Sequence, residues 1–529
     1  MTPPPDQTDT PWWAGAVIYQ VYPRSFADAN GDGIGDLLGL LGRLDHLAGT
    51  DASLGVDAVW LSPIYPSPLA DFGYDISDFT DVAAEFGTLG DLDRLVEACH
   101  ARGLRLMLDL VPCHTSIEHP WFVESRSSRG SARRDWYTWA DPSPDGGPPS
   151  NWRSLFGGSA WELDPATGQF YLHSFYPEQP DLNWRNPAVA EAIGNAVRFW
   201  FARGVDGFRV DAITHALKDP LLRDNPPAGP GTPPFPPDRT GHEQVHTDDQ
   251  PEITGVVRSL RRIADGYPGR LLLGEAYLPV ERLARYIDPR DGFHRAFDFE
   301  LSMIDWDAEA LVRTIERAEQ FTPPGAEPTW ALSNHDLSRH GTRFGEQRSR
   351  LAALLLLAMR GTICLYAGEE IGMLDAAALD SPAQDRFGRD LQRTPMQWDA
   401  SPRGGFSDGQ PWLPLVDPAT RNVADQSGDP SSVLSLYRRL LALRRGSAPL
   451  RLGDLELIPH LPSDVVGWTR TRDAERVLLV ANMGDTAGEM DLSRLAAGGE
   501  TLVATGSRAG RVSLAQLRLE PVEGLLLRL

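Results

Sequence analysis

Three acidic residues stand directly behind short β-rich runs: Asp211 closes DGFRVDA, Glu275 sits in LLLGEA, and Asp336 follows TWALSN. Arg209 lies two residues before Asp211, and His335 immediately before Asp336. His114 follows a further run, LRLMLDLV, which carries Asp109. An Asp after a strand is ordinarily a helix cap or a turn residue. Three acids aimed at one mouth, with an arginine and two histidines, suit glycosidic bond cleavage instead, where one carboxylate attacks and a second is held protonated. An ionised Asp211 pinned by Arg209 would disfavour ionisation of Glu275 and raise its pKa toward the working pH, so that it could protonate a leaving oxygen. Once Asp211 is esterified its charge is gone, and Glu275 can act as base toward water.

Such residues need a scaffold that brings distant segments together. Eight β-rich runs alternate with helical patterns: residues 16–23, 57–64, 104–111, 206–212, 271–276, around 297–299, 329–334 and 362–367. LGDLDRLVEACHARG (89–103) and VAEAIGNAVRFWFARG (189–204) are the clearest helices between them, the second ending at Gly. Eight parallel strands each followed by a helix is the count of an α/β TIM (β/α)8 barrel, whose active sites are built at the C-terminal ends of the strands. The acids above all stand at such ends.

Three stretches break the alternation. Residues 113–180, rich in Trp, Ser, Pro and Gly, read as a subdomain inserted after the third strand, between barrel parts 1–112 and 181–451. Residues 221–251 carry many prolines and read as a long loop over the barrel mouth, and 370–428 form another excursion after the eighth strand. Behind the amphipathic SSVLSLYRRLLALRR, residues 452–529 read as a C-terminal all-β sandwich. Phe156, Phe175 and Trp161 of the insert are candidates to line an acceptor subsite.

A formal charge of −23 over 529 residues disfavours nucleic acid and anionic membrane as partners. Lys218 is the sole lysine among 50 basic residues, a coding bias with no functional content. Three cysteines, Cys99, Cys113 and Cys364, without CxxC spacing, point to reduced thiols. MTPPPDQTDTPWW has neither the basic nor the apolar region of a signal peptide, and no run of 18 apolar residues occurs, so a cytoplasmic monomer or small homo-oligomer is expected.

DANGDGIGD (28–36) places side-chain oxygens at Asp28, Asn30, Asp32 and Asp36. Position 12 of an EF-hand would be Gly39, not Glu, and a β-rich run precedes the loop, so a calcium sensor is excluded. A structural cation suits it better.

DLVPCH (109–114), GFRVDAITH (207–215), GEA (274–276) and SNHD (333–336) resemble, in order, four signature segments of the α-amylase family of glycoside hydrolases. QPDLNW (179–184), DFGYDISDF (71–79) and RTPMQWD (393–399) resemble the oligo-1,6-glucosidase and α-glucosidase branch. The resemblance implies Asp211 as nucleophile, Glu275 as general acid/base and Asp336 as the third carboxylate, with Arg209 orienting Asp211. It implies that His114 and His335 bind the terminal glucosyl unit, that Tyr74 stacks on it, and that an Asp71–Arg393 pair closes the pocket and makes the action exo. It also implies Ca²⁺ or Mg²⁺ held by Asp28, Asn30, Asp32, Asp36 and the Ile34 carbonyl, with no organic cofactor.

Two positions depart from the pattern. Cys113 stands where an Asn is usual, so the interdomain calcium of amylases is not expected. Ala212 is small where α-1,6-preferring relatives carry Val, which implies α-1,4 preference. HALKDPLLRDNPP (215–227) and HPWFVESRSS (119–128) look most like bacterial α-glucosidases. A retaining exo-α-glucosidase with some transglucosylation, acting on maltose and short oligosaccharides, is therefore expected. The alternatives are a sugar isomerase such as trehalose synthase, another sucrose- or trehalose-active member and, remotely, a non-enzymatic scaffold.

Overall fold

The computed structural model describes residues 10–229, 241–378 and 383–529. Parts of the two long excursions, 230–240 and 379–382, thus lie outside the described residues. Eight parallel strands form one sheet: β1 (Val17–Val21), β2 (Ala58–Leu61), β3 (Arg105–Leu110), β4 (Gly207–Val210), β5 (Leu271–Gly274), β6 (Arg295–Ala296), β7 (Thr329–Ala331) and β8 (Thr362–Tyr366). Their order is β7-β8-β1-β2-β3-β4-β5-β6, and a parallel bridge from Phe297 to Thr329 joins the two edges into a closed barrel. Both faces of each strand meet protein, which is why the runs read as nearly continuous apolar stretches.

The expected run around 297–299 begins two residues early, because Asp298 accepts the Glu300 amide at 3.0 Å and turns the chain into the short helix Glu300–Met303. Phe297 and Phe299 are nonetheless buried in the barrel interior with Trp60, Met107 and Cys364. The helix Leu89–Ala101 starts at Thr88 with a reciprocal capping box to Asp91 and buries Leu92, Leu95, Val96 and Cys99. Pro187–Ala202 starts from an Asn186 cap with Pro at its first position. All three cysteines are free and buried. Among the described residues no helix is long and apolar enough to cross a membrane.

Between β3 and β4 the chain forms a three-stranded sheet, Trp139–Ala140, Gln169–Leu172 and Trp161–Asp164. Trp161 stacks on Trp152 at 5.6 Å inside this subdomain's core, so it lines no acceptor site. The described part of the proline-rich loop is tied down rather than loose: the Trp152 indole donates to the Arg223 carbonyl at 2.7 Å, and the Asn225 amide to Asn151 at 2.8 Å.

After the helix Val433–Gly446, six antiparallel strands and a separate two-stranded ribbon enclose a second core around Leu478, Val480, Leu525 and Leu527. The other face of the six-stranded sheet rests on the helix Ser349–Ala358. There Trp468 donates to the Ala358 carbonyl, and Arg470 to the carbonyls of Ala358 and Met359. Arg444 takes the carbonyls of Leu357, Met359 and Gly361. Two buried guanidiniums thus satisfy the carbonyls that a helix end leaves open.

Candidate active site

β3 and β4 pair with Asp109 opposite Arg209, and Asp211 follows two residues later on the same face. Arg209, 1% exposed, is the hub. Its Nη1 donates to Asp109 Oδ1 at 2.7 Å and Asp211 Oδ1 at 2.5 Å, while Nη2 meets Glu275 Oε1 at the end of β5. The second Glu275 oxygen accepts the Ala212 backbone amide at 2.9 Å. Ala212 reaches that position by adopting φ +42°, a left-handed turn that a small side chain tolerates best. The expected nucleophile and acid are therefore gripped by one guanidinium.

That grip changes the expected electrostatics. Burial pushes the Asp211 carboxyl well above the ordinary range, with Glu275 and Asp109 adding to the rise and Arg209 opposing it. Asp109 is likewise raised, to about 6, by burial against the pull of Arg209. The expectation set Arg209 between two carboxylates, Asp211 and Glu275, whereas Asp109 makes a third on the same cation. Interacting buried acids titrate as a unit rather than one by one.

Asp336 is the opposite case. Burial would raise it, but His335, Arg389 and Arg393 hold it well below the usual carboxylate range. Both guanidiniums reach Oδ1, Arg389 at 3.0 Å and Arg393 at 2.9 Å. His335, pushed down to about 3 by burial, is neutral. It is wedged between Gln20 (2.8 Å to Nδ1) and the Tyr74 hydroxyl (2.6 Å to Nε2). Tyr74 lies 5.5 Å from it and almost parallel, and also donates to Asp109 at 3.2 Å.

The expected Asp71–Arg393 pair is not formed. Asp71 receives Arg389 at 2.5 Å and Gln179 Nε2 at 3.0 Å, whereas Arg393 donates to Asp336 and to the His335 carbonyl. The reason is local: Asp385 holds Arg389 through Nε and Nη2, and the 3-10 turn Asp390–Gln392 then carries Arg393 deeper, against Tyr22. Both arginines were visible in DRFGRDLQR, but their division of labour depends on that turn. Gln179, inside the quoted QPDLNW, and Gln20 were missed; Gln179 also lies 3.0 Å from His114 Nε2. His114 Nδ1 is buried with no partner among the described residues. Phe156 packs at 4.4 Å on both Tyr176 and Phe387, and Phe175 at 5.1 Å on His114, forming an aromatic wall beside Arg389.

Residues 20–453 match the model of the α-amylase catalytic domain. The chain belongs to the α-amylase family. Within it, this chain is 44% identical over 510 residues to a probable α-glucosidase of Rhizobium meliloti (strain 1021), covering 92% of each. Among solved structures it resembles the α-glucosyl transfer enzyme XgtA, with TM-score 0.90 and 41% identity over 98% of this chain and all of that one. It also resembles the trehalulose synthase MutB of Pseudomonas mesoacidophila MX-45, with TM-score 0.89 and 34% identity at the same coverage. The chain is thus an α-amylase-family glycoside hydrolase, and its acids gather at the barrel mouth, where active sites of this fold are built.

In the loop 28–36 the oxygens serve the loop itself. Asp28 accepts the amides of Asn30, Gly31 and Gly33 and the Ser407 hydroxyl, and Asp36 those of Ala29, Asn30 and Gly39. Asn30 and Asp32 each accept one amide two residues on. Among the described residues no three His, Cys, Asp or Glu side chains converge as a metal group.

Proposed function

We propose that the protein is a retaining, exo-acting α-glucosidase that releases glucose from the non-reducing end of maltose and short α-1,4-linked oligosaccharides. The observation that carries this is the shared grip of Arg209 on Asp211 and Glu275. One guanidinium favours the closer carboxylate spacing of retaining enzymes, about 5 Å, over the wider gap that admits water. In the first step Asp211 attacks the anomeric carbon as the carboxylate, and Glu275, as the acid, gives its proton to the departing oxygen. In the second, Glu275 takes a proton from water, which attacks the same carbon and frees Asp211.

Asp336, ionised and part-exposed, is suited to accept sugar hydroxyls, and the unpartnered His114 Nδ1 to meet another. The Asp71–Arg389 bridge, both side chains under 10% exposed, closes the pocket behind one glucosyl unit. Ala212 leaves room that a Val would fill. With maltose the expected products are two glucose per disaccharide, plus transfer products at high sugar concentration, because a second sugar competes with water for the ester. Likeness to a trehalulose synthase and the Phe156–Phe387 wall support a second reading, sugar isomerisation. A chromatographic time course on maltose, sucrose and trehalose separates them: a rearranged disaccharide at constant disaccharide total would sink the hydrolase reading.

A hard cation at the loop 28–36 belongs to the same proposal. Asp28, Asn30, Asp32, Asp36 and the Ile34 carbonyl would hold it, and their oxygen-only chemistry suits Ca²⁺ or Mg²⁺. It would staple the loop, and no catalytic step passes through it. Millimolar Ca²⁺ or Mg²⁺ added to chelator-treated protein is expected to raise Tm with unchanged kcat; a flat Tm counts against the ion. A cytoplasmic location is proposed from the buried free thiols.

A further inference from the structure

We propose that a cleft on the underside of the barrel, opposite the active site, binds a small phosphate-bearing anion. The cleft has a volume of about 670 Å³ and is walled by three parts of the chain. The barrel contributes segments that precede β5 to β8, among them Arg270 and Arg360. The start of the described chain contributes Trp13, and the C-terminal domain contributes Arg472. This volume lies within the range of small-molecule sites, which favour such junctions between domains.

The lining is basic in a chain of net charge −23: five arginines against three carboxylates. Two of those carboxylates, Asp265 and Glu327, are occupied by Arg261 and Arg295 at 2.7 Å each. Donors remain on the other three arginines. Arg270 gives Nη1 to Asp206, a carboxylate it shares with Arg105 and His100, while its Nε is buried without a partner among the described residues. Arg360 spends Nε on Glu319, and Arg472 is exposed with no ion pair among the described residues. Planar guanidiniums with free edges recognise phosphate oxygens in pairs. Trp13, packed edge-on to His294 at 4.7 Å, offers a flat apolar wall for the organic part of an ester.

The test is calorimetric titration and thermal shift of the full chain at low salt with inorganic phosphate, glucose 1-phosphate and AMP, against sodium chloride of matched ionic strength. At least one phosphate is expected to raise Tm and saturate with Kd below about 1 mM. Arg472→Glu, at an exposed position, is expected to weaken that binding tenfold or more and leave kcat/KM on an aryl α-glucoside unchanged. Tighter binding of an ester than of inorganic phosphate would assign the apolar wall a role; equal binding would assign the site to the free oxyanion. No saturable binding by any probe, or binding that survives Arg472→Glu, overturns the proposal.

Discussion

Asp211→Asn is expected to lower kcat on an aryl α-glucoside by about 10⁴-fold or more, as loss of a covalent nucleophile does, which is ~5.5 kcal/mol of barrel-mouth chemistry. The same substitution should not harm the fold. Asp211 is a buried acid whose folded pKa lies above its unfolded value, so the native state binds the extra proton and stability falls as pH rises through that window. Asn removes this liability. The variant should therefore match the parent in Tm near pH 4 and exceed it near pH 8, dead yet more stable. Azide separates nucleophile from acid: Asp211→Ala with azide should give a β-glucosyl azide by direct displacement. Glu275→Ala, given a substrate with a good leaving group, should give the α-glucosyl azide through the intact ester. Both products with one anomeric configuration, or an Asn variant losing less than tenfold, would falsify the assignment of roles.

The barrel was legible because apolar runs and strand-end acids are local features. Seven of its strands begin within one residue of where the runs begin, and the sixth is displaced by two, the chain after it being turned by the Asp298 side chain. Asp211, Glu275 and Asp336 were legible for the same reason. What stayed hidden depends on loops folding across the mouth. Which arginine meets Asp71 is decided by Asp385 and one 3-10 turn, and no spacing along DRFGRDLQR encodes it. Nor could sequence count the acids around Arg209: Asp109 joins them through sheet register, a hundred residues away in the chain. Burial raises the Asp211 carboxyl, and Glu275 and that third carboxylate add to the rise. Gln20 and Gln179 carry no signal of their own, since an amide in a strand or loop is ordinarily solvated.

Arg209→Met is the second large effect. The substitution leaves Asp109, Asp211 and Glu275 buried with no cation in reach, and uncompensated buried charge costs about 3–5 kcal/mol. The acids can escape that cost by keeping protons, so the loss must depend on pH. Asp109, already raised to about 6, would rise further, and the native state would hold protons to higher pH than the unfolded chain does. The stability deficit should therefore be small near pH 4, where Asp109 and Asp211 hold protons in the native parent and variant alike, and should grow steadily toward pH 8. A deficit independent of pH would mean that Arg209 acts by packing against Trp60 and Tyr74 rather than by charge. Arg209→Lys supplies a charge but only a point donor, unable to reach three acceptors from one plane, so it should recover part of the stability and little of the activity. Adding Asp109→Asn to Arg209→Met removes one of the stranded charges. If shared charge is what binds the cluster, the double variant at pH 8 will be more stable than Arg209→Met alone, a coupling of the wrong sign for two independent injuries to one core.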